Sequence, residues 1–487
     1  MKRALFGLLI VACGPAVAPI SLVNPAPVPP VVVDVLGPTP ALAPVVPFAP
    51  PVPASSRLTN GSELRLLEVH NVPMVSVTLA FNAGAFYDPK GKEGLSHITA
   101  QMLDEGAGKH DGSALAAAFE SLGTSLHIEV DADAAYFSFT VLKENLAPAV
   151  ALLADVIQRP RFAEKDFARA HGLWVDALKA RADDADSVAR VVMRKVVLAT
   201  RAPAHPWAGT LAGASKVNLA DVRRHHAKFY QSSIAHFAVA GDVSSIALTH
   251  VLESTFGEWK HAPAWRAVTA GGVEMAPARL VVVDRPGAPQ AVVGFARVGL
   301  AARDASLPGV MRANIALGGS FTSRLNQDLR EKHGWTYGAR SAFSVSSSPG
   351  LMVAWAAVQT DATIDASKAL LADVREFAGK GLTDDEVSKT LATMNAEFVR
   401  SYSTIDAMSA RLAQHAIFGK PLDADVQLLK VATSLDRSAL NALAKQYFAT
   451  NEGTFVIVGP LERFRARLSE LGLGDPQLRD AEGEVIK

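Results

Sequence analysis

One series of predicted elements runs through this chain twice, and that repetition limits the possible folds more than any single motif does. In the first pass, Leu64–Val69 and Met74–Ala80 read as strands around the turn His70-Asn71-Val72-Pro73. Helical patterns follow at Gly94–Leu103 and at Ser113–Leu122, the second capped by Asp111 and stopped at Gly123. Ser125–Val130 alternates, with Leu126, Ile128 and Val130 on one face. It turns at Asp131-Ala132-Asp133 into Tyr136–Val141, which predicts a hairpin. Helices are expected at Leu146–Ile157, Glu164–Ala180, Ser187–Leu198 and Leu219–Tyr230, then a strand at His236–Val243 and a closing helix at Ile246–Phe256. The second pass repeats the order. Strands at Arg279–Val283 and Gln290–Phe295 precede helices at Gly309–Leu317 and Ser323–Glu331 and a hairpin, Thr336–Val345 with Leu351–Val358. Helices at Ile364–Phe377, Asp384–Val399, Met408–Phe418 and Arg437–Tyr447, a strand at Thr454–Gly459 and a closing helix at Glu462–Leu471 complete it. Gly241 and Gly459 are 218 residues apart, and Asp166 and Glu386 are 220 apart. The expected fold class is therefore α+β, with two homologous halves, each a mostly antiparallel sheet with helices packed on one face. The halves are expected at 57–262 and 278–487, joined by a linker at 263–277.

A chain of 487 residues has the length of two to four ordinary domains. Its 48 basic and 48 acidic side chains balance, so charge gives no pull toward nucleic acid. Lys2 and Arg3 precede a short apolar run, Leu5–Ala12, too short to span a bilayer and typical of a signal peptide over residues 1–12. The sole cysteine, Cys13, ends that run. It fits the lipidation site of a bacterial lipoprotein, with ordinary cleavage after Ala16-Val17-Ala18 as the alternative. Either route exports the chain to the periplasm, and contact with the membrane is expected through the lipid anchor alone. Thirteen of the 28 prolines lie between Pro15 and Pro53, so residues 13–56 are expected to be an extended tether.

Gly94–Met102 has the outline of an inverted zinc-peptidase motif, His-x-x-Glu-His. Only the first position survives, as His97. Ala100 stands where a glutamate would activate water, and Gln101 where a second histidine would bind metal. A methyl group cannot take a proton, and a zinc site needs about three protein ligands. Other histidines have plainer explanations. His225-His226 after Arg223-Arg224 reads as a solvated basic face, and His205-Pro206-Trp207 as a structural loop. Asp183-Asp184-Ala185-Asp186 lacks calcium-loop spacing and reads as a helix cap.

Several stretches taken in order resemble the pitrilysin/insulinase family of zinc peptidases, in its bacterial half-size branch. They are Asn71-Val72-Pro73, Asn82-Ala83-Gly84-Ala85, Gly94–Met102, His205-Pro206-Trp207, Gly241-Asp242-Val243, Gly318–Leu325 and Leu329–Tyr337. The resemblance, shared with mitochondrial processing peptidase subunits, runs from about residue 58 to 475. It implies two units closing around a chamber, commonly as two different chains, one with the zinc motif and one without. It places the distal glutamate ligand at Ala177, with Asp176 beside it but about 100° around the helix. It implies further that Arg330 and Tyr337 reach substrate, where a guanidinium and a phenol can donate to a carbonyl oxygen gaining charge. Apart from the resemblance, Arg330 reads as a surface ion-pair partner and Tyr337 as a core-edge residue. The function expected is a non-catalytic, substrate-binding subunit, inactive alone and binding no metal itself. A zinc-bearing homologous partner would cleave the peptides. The alternatives are a pseudo-peptidase that binds peptides without a partner, or an independent peptidase whose metal site is rebuilt from His97, Asp176 and another histidine.

Overall fold

The structure, a computed structural model, describes residues 48–198, 204–259 and 279–486. The signal segment with Cys13, most of the proline-rich stretch and the 263–277 linker lie outside the described residues. The first half contains β1 (Ala54–Arg57), β2 (Glu63–Glu68), β3 (Met74–Phe81), α1 (Leu95–Gln101), β4 (Gly106–Ala107), β5 (His110–Asp111), α2 (Gly112–Ser121), β6 (His127–Val130) and β7 (Ala135–Leu142). It continues with α3 (Leu146–Gln158), α4 (Glu164–Arg181), α5 (Ala185–Leu198), α6 (Leu211–Ala214), α7 (Leu219–Phe229), β8 (Ala235–Gly241) and α8 (Ser245–Phe256). The second half contains β9 (Arg279–Asp284), β10 (Gln290–Val298), α9 (Leu307–Asn314), β11 (Thr336–Phe343), β12 (Leu351–Gln359), α10 (Thr363–Lys380) and α11 (Asp384–Arg400). Then come α12 (Ile405–Ile417), α13 (Ala424–Ser434), α14 (Arg437–Tyr447), β13 (Thr454–Gly459) and β14 (Gln477–Leu478).

The two sheets share one topology over five strands and differ at the outer edge, where β1 pairs antiparallel and β14 pairs parallel. The first runs β6-β7-β3-β8-β2-β1 and the second β11-β12-β10-β13-β9-β14. Among the described residues, only β2 with β8, and β9 with β13 and β14, pair as parallel strands. The predicted α+β repeat is present, with Gly241 and Gly459 ending the corresponding strands β8 and β13. The capping boxes at Asn218/Asp221 and Thr383/Glu386 both form, because each side chain satisfies an otherwise orphaned helix-end amide. Asp184 accepts from Ser187 N at 2.8 Å and so caps α5 as expected.

Each sheet buries one face beneath its own helices. Val75, Val77, Leu79 and Phe81 do this in the first half, and Val293, Phe295, Phe455 and Ile457 in the second. The second face of each sheet is covered as well, by a helix from the other half. α12 lies across β3 and β8. Small residues, Ala80, Ala238 and Ala240, make room for it, and Ser409 Oγ lies 2.9 Å from Ser76 Oγ. Reciprocally, α5 lies across β10 and β13, seating Val188, Val192, Met193 and Val196 on Val281, Val292 and Val456. Gly294 lets Met193 approach, since a Cβ there would collide with the Met193 methyl group.

Three expectations need correction. The tether does not extend to residue 56. Phe48 already packs on Tyr402 with ring centroids 5.5 Å apart, and Ala54–Arg57 pairs with β2 as an edge strand. The pair His225-His226 is not a solvated basic face. His225 is buried against Phe229, and the His226 ring lies 2.8 Å from Ile157 O. Burial lowers the pKa of His225 to about 3. Finally, the helical stretches expected at 309–317 and 323–331 run into wide π turns at Ile315–Gly319 and Asn326–Lys332.

Candidate functional site

Asp88 sets the start of α1. Its buried carboxylate accepts from Gly94 N at 2.6 Å and from Ser96 N and Ser96 Oγ at 2.7 Å. Burial raises its pKa to about 6, partly countered by the His205 imidazole 4.0 Å away. Gly94 is left-handed, with φ +100, and a Cβ there would stand 2.5 Å from the Trp174 ring. Glycine is therefore required both by conformation and by the closeness of α4.

One turn along α1, the half-buried His97 ring lies 6.3 Å from the Trp174 ring, centroid to centroid. Burial lowers its pKa to about 4, so the imidazole is neutral at neutral pH. Ala100 has no exposed surface, and Gln101 ends the helix. Ala177 lies on the solvent side of α4, as does Asp176, which pairs with Lys179 at 3.2 Å. The α4 side chains turned inward are Trp174 and Leu178. The indole of Trp174 fills the approach to His97 and donates to Ala208 O at 2.7 Å. This donor set does not fit zinc: it offers one imidazole, facing an indole and a methyl group, without a second or third ligand. Among the described residues no group of three His, Cys, Asp or Glu is placed to hold a metal ion. The rebuilt site of His97, Asp176 and another histidine is therefore not formed among them.

Arg330 and Tyr337 lie in the second half, where β11 is the edge strand of its sheet. Arg330 stands on the π turns that follow the Gly318–Leu325 loop, and Gly334, with φ +65, turns the chain back into β11. Gly334 N donates to Arg330 O at 2.9 Å. The β11–β12 register shifts between Thr336 and Ala339, and such an irregularity re-aims a side chain. Tyr337 is 92% exposed, so it is not the core-edge residue that the bare pattern allowed. The Arg330 guanidinium sits 4.3 Å from the centroid of the Phe321 ring, and its Nε is 3.6 Å from Glu331. Phe321 was not singled out from the sequence, although it lies within the Gly318–Leu325 stretch. The expectation of an acidic neighbour for Arg330 is met by Glu331.

A cleft of about 950 Å³ opens elsewhere, between the outer face of the first sheet and α12. Hydroxyls of Ser76, Thr78, Ser138 and Thr140 line it, together with Asp131 and Arg411. Burial, and next the charge of Asp133, raise the Asp131 pKa to about 7. Sequence reading treated Asp131 as a turn residue only.

Residues 66–206 match the insulinase model of peptidase family M16, and residues 216–394 match the model for the peptidase M16 inactive domain. The chain belongs to the M16 (insulinase) family. Within it, this chain is a member without the zinc motif, an inactive peptidase homologue. It is 24% identical over 398 residues to a non-peptidase homolog, YmxG, of Helicobacter pylori, covering 80% of this chain and 90% of that one. Among solved structures, the peptidase M16 inactive domain of Pseudomonas fluorescens superposes with a TM-score of 0.79 at 22% identity, covering 84% of this chain and 98% of that one. The periplasmic protease PqqL of Escherichia coli matches with a TM-score of 0.69 at 16% identity, over 86% of this chain and 49% of that one. These likenesses establish the M16 fold.

Proposed function

We propose that this chain is the non-catalytic, substrate-binding subunit of a two-chain zinc peptidase, held in the periplasm by a lipid on Cys13. Its partner is a homologous chain that carries the complete zinc motif, and the substrates are peptides. The observation that carries this reading is a contrast between the halves. Metal chemistry is absent at His97, Ala100 and Gln101, yet Arg330 is held over an aromatic ring and Tyr337, in the strand that follows, is exposed. A phenol 92% exposed is accessible to a ligand.

Zinc in the partner would supply the activated water. This chain's part is to hold the substrate. The guanidinium of Arg330 and the phenol of Tyr337 donate hydrogen bonds to a peptide carbonyl, more strongly as that oxygen gains charge. Co-expression with a homologue bearing His-x-x-Glu-His is expected to yield a complex that hydrolyses peptides. In that complex Arg330→Ala lowers kcat/KM by about 100-fold, the scale of one lost oxyanion donor. No complex, or hydrolysis unchanged in the variant, would remove the heterodimer reading. Peptide binding without any partner would instead make the chain a free-standing pseudo-peptidase.

A further inference from the structure

We infer that Phe321 is the positioning residue for Arg330, its ring being the seat that holds the guanidinium ready for a peptide oxygen. The inference rests on the substrate-binding reading above. Two other arginines of this half also lie over aromatic rings, and both have their forks filled. Arg324, over Phe377, donates to Glu386 at 2.7 and 2.6 Å. Arg411, over Phe398, donates to both oxygens of Asp425 at 2.5 Å. Arg330 differs. Its guanidinium makes no hydrogen bond to a protein group among the described residues, and its acidic neighbour Glu331 stays at 3.6 Å from Nε, beyond hydrogen-bond length. An arginine free at its fork ordinarily samples many rotamers, and fixing it on a ligand costs entropy. A ring under its face restricts that motion without consuming an N–H donor.

The seat is itself immobilised. Asn326 Nδ2 donates to Ser320 O at 3.2 Å, while Asn326 Oδ1 accepts from Ala339 N at 2.9 Å. Asn314 Nδ2 donates to Ser341 O at 2.9 Å, and Asn314 Oδ1 accepts from Ser341 Oγ at 2.7 Å. Gly318 has no room for a side chain, because a Cβ would collide with the backbone of Ser341. The loop is thus pinned to β11 on both sides, while Phe321 at its tip is 67% exposed. A large apolar ring left in water on a fixed loop contributes little to the core. Its contact is with Arg330.

Two readouts on the full-length chain test this. With selective ¹⁵N-arginine labelling, the Arg330 Nε–H proton, assigned with Arg330→Lys, should show an upfield ring-current shift. Phe321→Leu should abolish the shift and Phe321→Tyr should keep it. In binding of fluorescein-labelled casein peptides, Arg330→Ala should weaken affinity about tenfold or more. Phe321→Leu should weaken it about fourfold, and Phe321→Tyr should restore it to within about twofold. If Arg330→Ala binds as the wild type does, the substrate-binding reading falls and this inference falls with it. If Arg330→Ala weakens binding but Phe321→Leu does not, or the ring-current shift survives in Phe321→Leu, the positioning inference alone is overturned.

Discussion

On α1, the position that would take a proton from water is a methyl group with no exposed surface, Ala100. Placing a carboxylate there removes it from water without a partner, which costs a few kcal/mol or raises its pKa. Ala100→Glu combined with Gln101→His is therefore expected to lower the melting temperature. It should also leave zinc well below one per chain by elemental analysis after dialysis, because α4 offers Trp174 where a further ligand is needed. Stoichiometric zinc in that double variant would contradict this account of the site. His225 gives a second test. Its folded pKa of about 3 lies below the ordinary histidine value of about 6.5, so the unfolded chain binds a proton that the native one refuses. Its contribution is full above about pH 6.5 and is lost as pH falls toward 3. His225→Phe should therefore flatten the fall in urea midpoint between pH 6.5 and pH 4; an unchanged slope would place the titration elsewhere. The residue types at 97, 100 and 101 were legible as lost chemistry from the sequence, because they lie within one helical turn. The face that α4 turns toward them was not legible, since a helix's rotation about its axis is set by packing. Ala177, the position matched to the distal ligand, lies on the exposed side of α4.

At the scale of elements, α5 and α12 carry the fold's least local contacts. Met193 on α5 fills the space left by Gly294 and is 3% exposed. Met193→Ala should destabilise the chain by about 2–4 kcal/mol, the usual cost of a buried large-to-small change. The variant should also alter the fluorescence of Trp355, which packs against the same cluster in the other half. A change confined to the first half would mean that α5 does not seat on the second sheet. Helix caps and strand alternation announced most elements, since those signals are local. The strands β1 and β14 escaped notice. β1 is exposed along its whole length and so shows no apolar alternation, and β14 has only two residues and pairs with the distant strand β9. The π turns escaped for a related reason: a loop pinned against β11 sets their pitch, not the propensity of Asn326–Lys332.

At the scale of the molecule, the halves are interlocked. Each sheet has its second face covered by the other half's helix, and Asp133 accepts from Ser347 N at 3.1 Å across the seam. Residues 48–259 expressed alone should therefore leave Ala80, Ala238 and Ala240 uncovered, and should be aggregated or poorly folded by circular dichroism. Co-expressed with residues 279–486, they should co-purify as a folded pair. A soluble, cooperatively folding first half would show that the exchange is not needed for stability. The repeat, the α+β class and the loss of zinc chemistry in the first half are written in the order of residues alone. These follow from periodicity and from residue identity within a few positions. Packing in three dimensions sets which half covers each sheet, that an indole lies against His97, and that Phe321 lies beneath Arg330. Each of those depends on surfaces meeting across long stretches of chain, where alternation and capping carry no information.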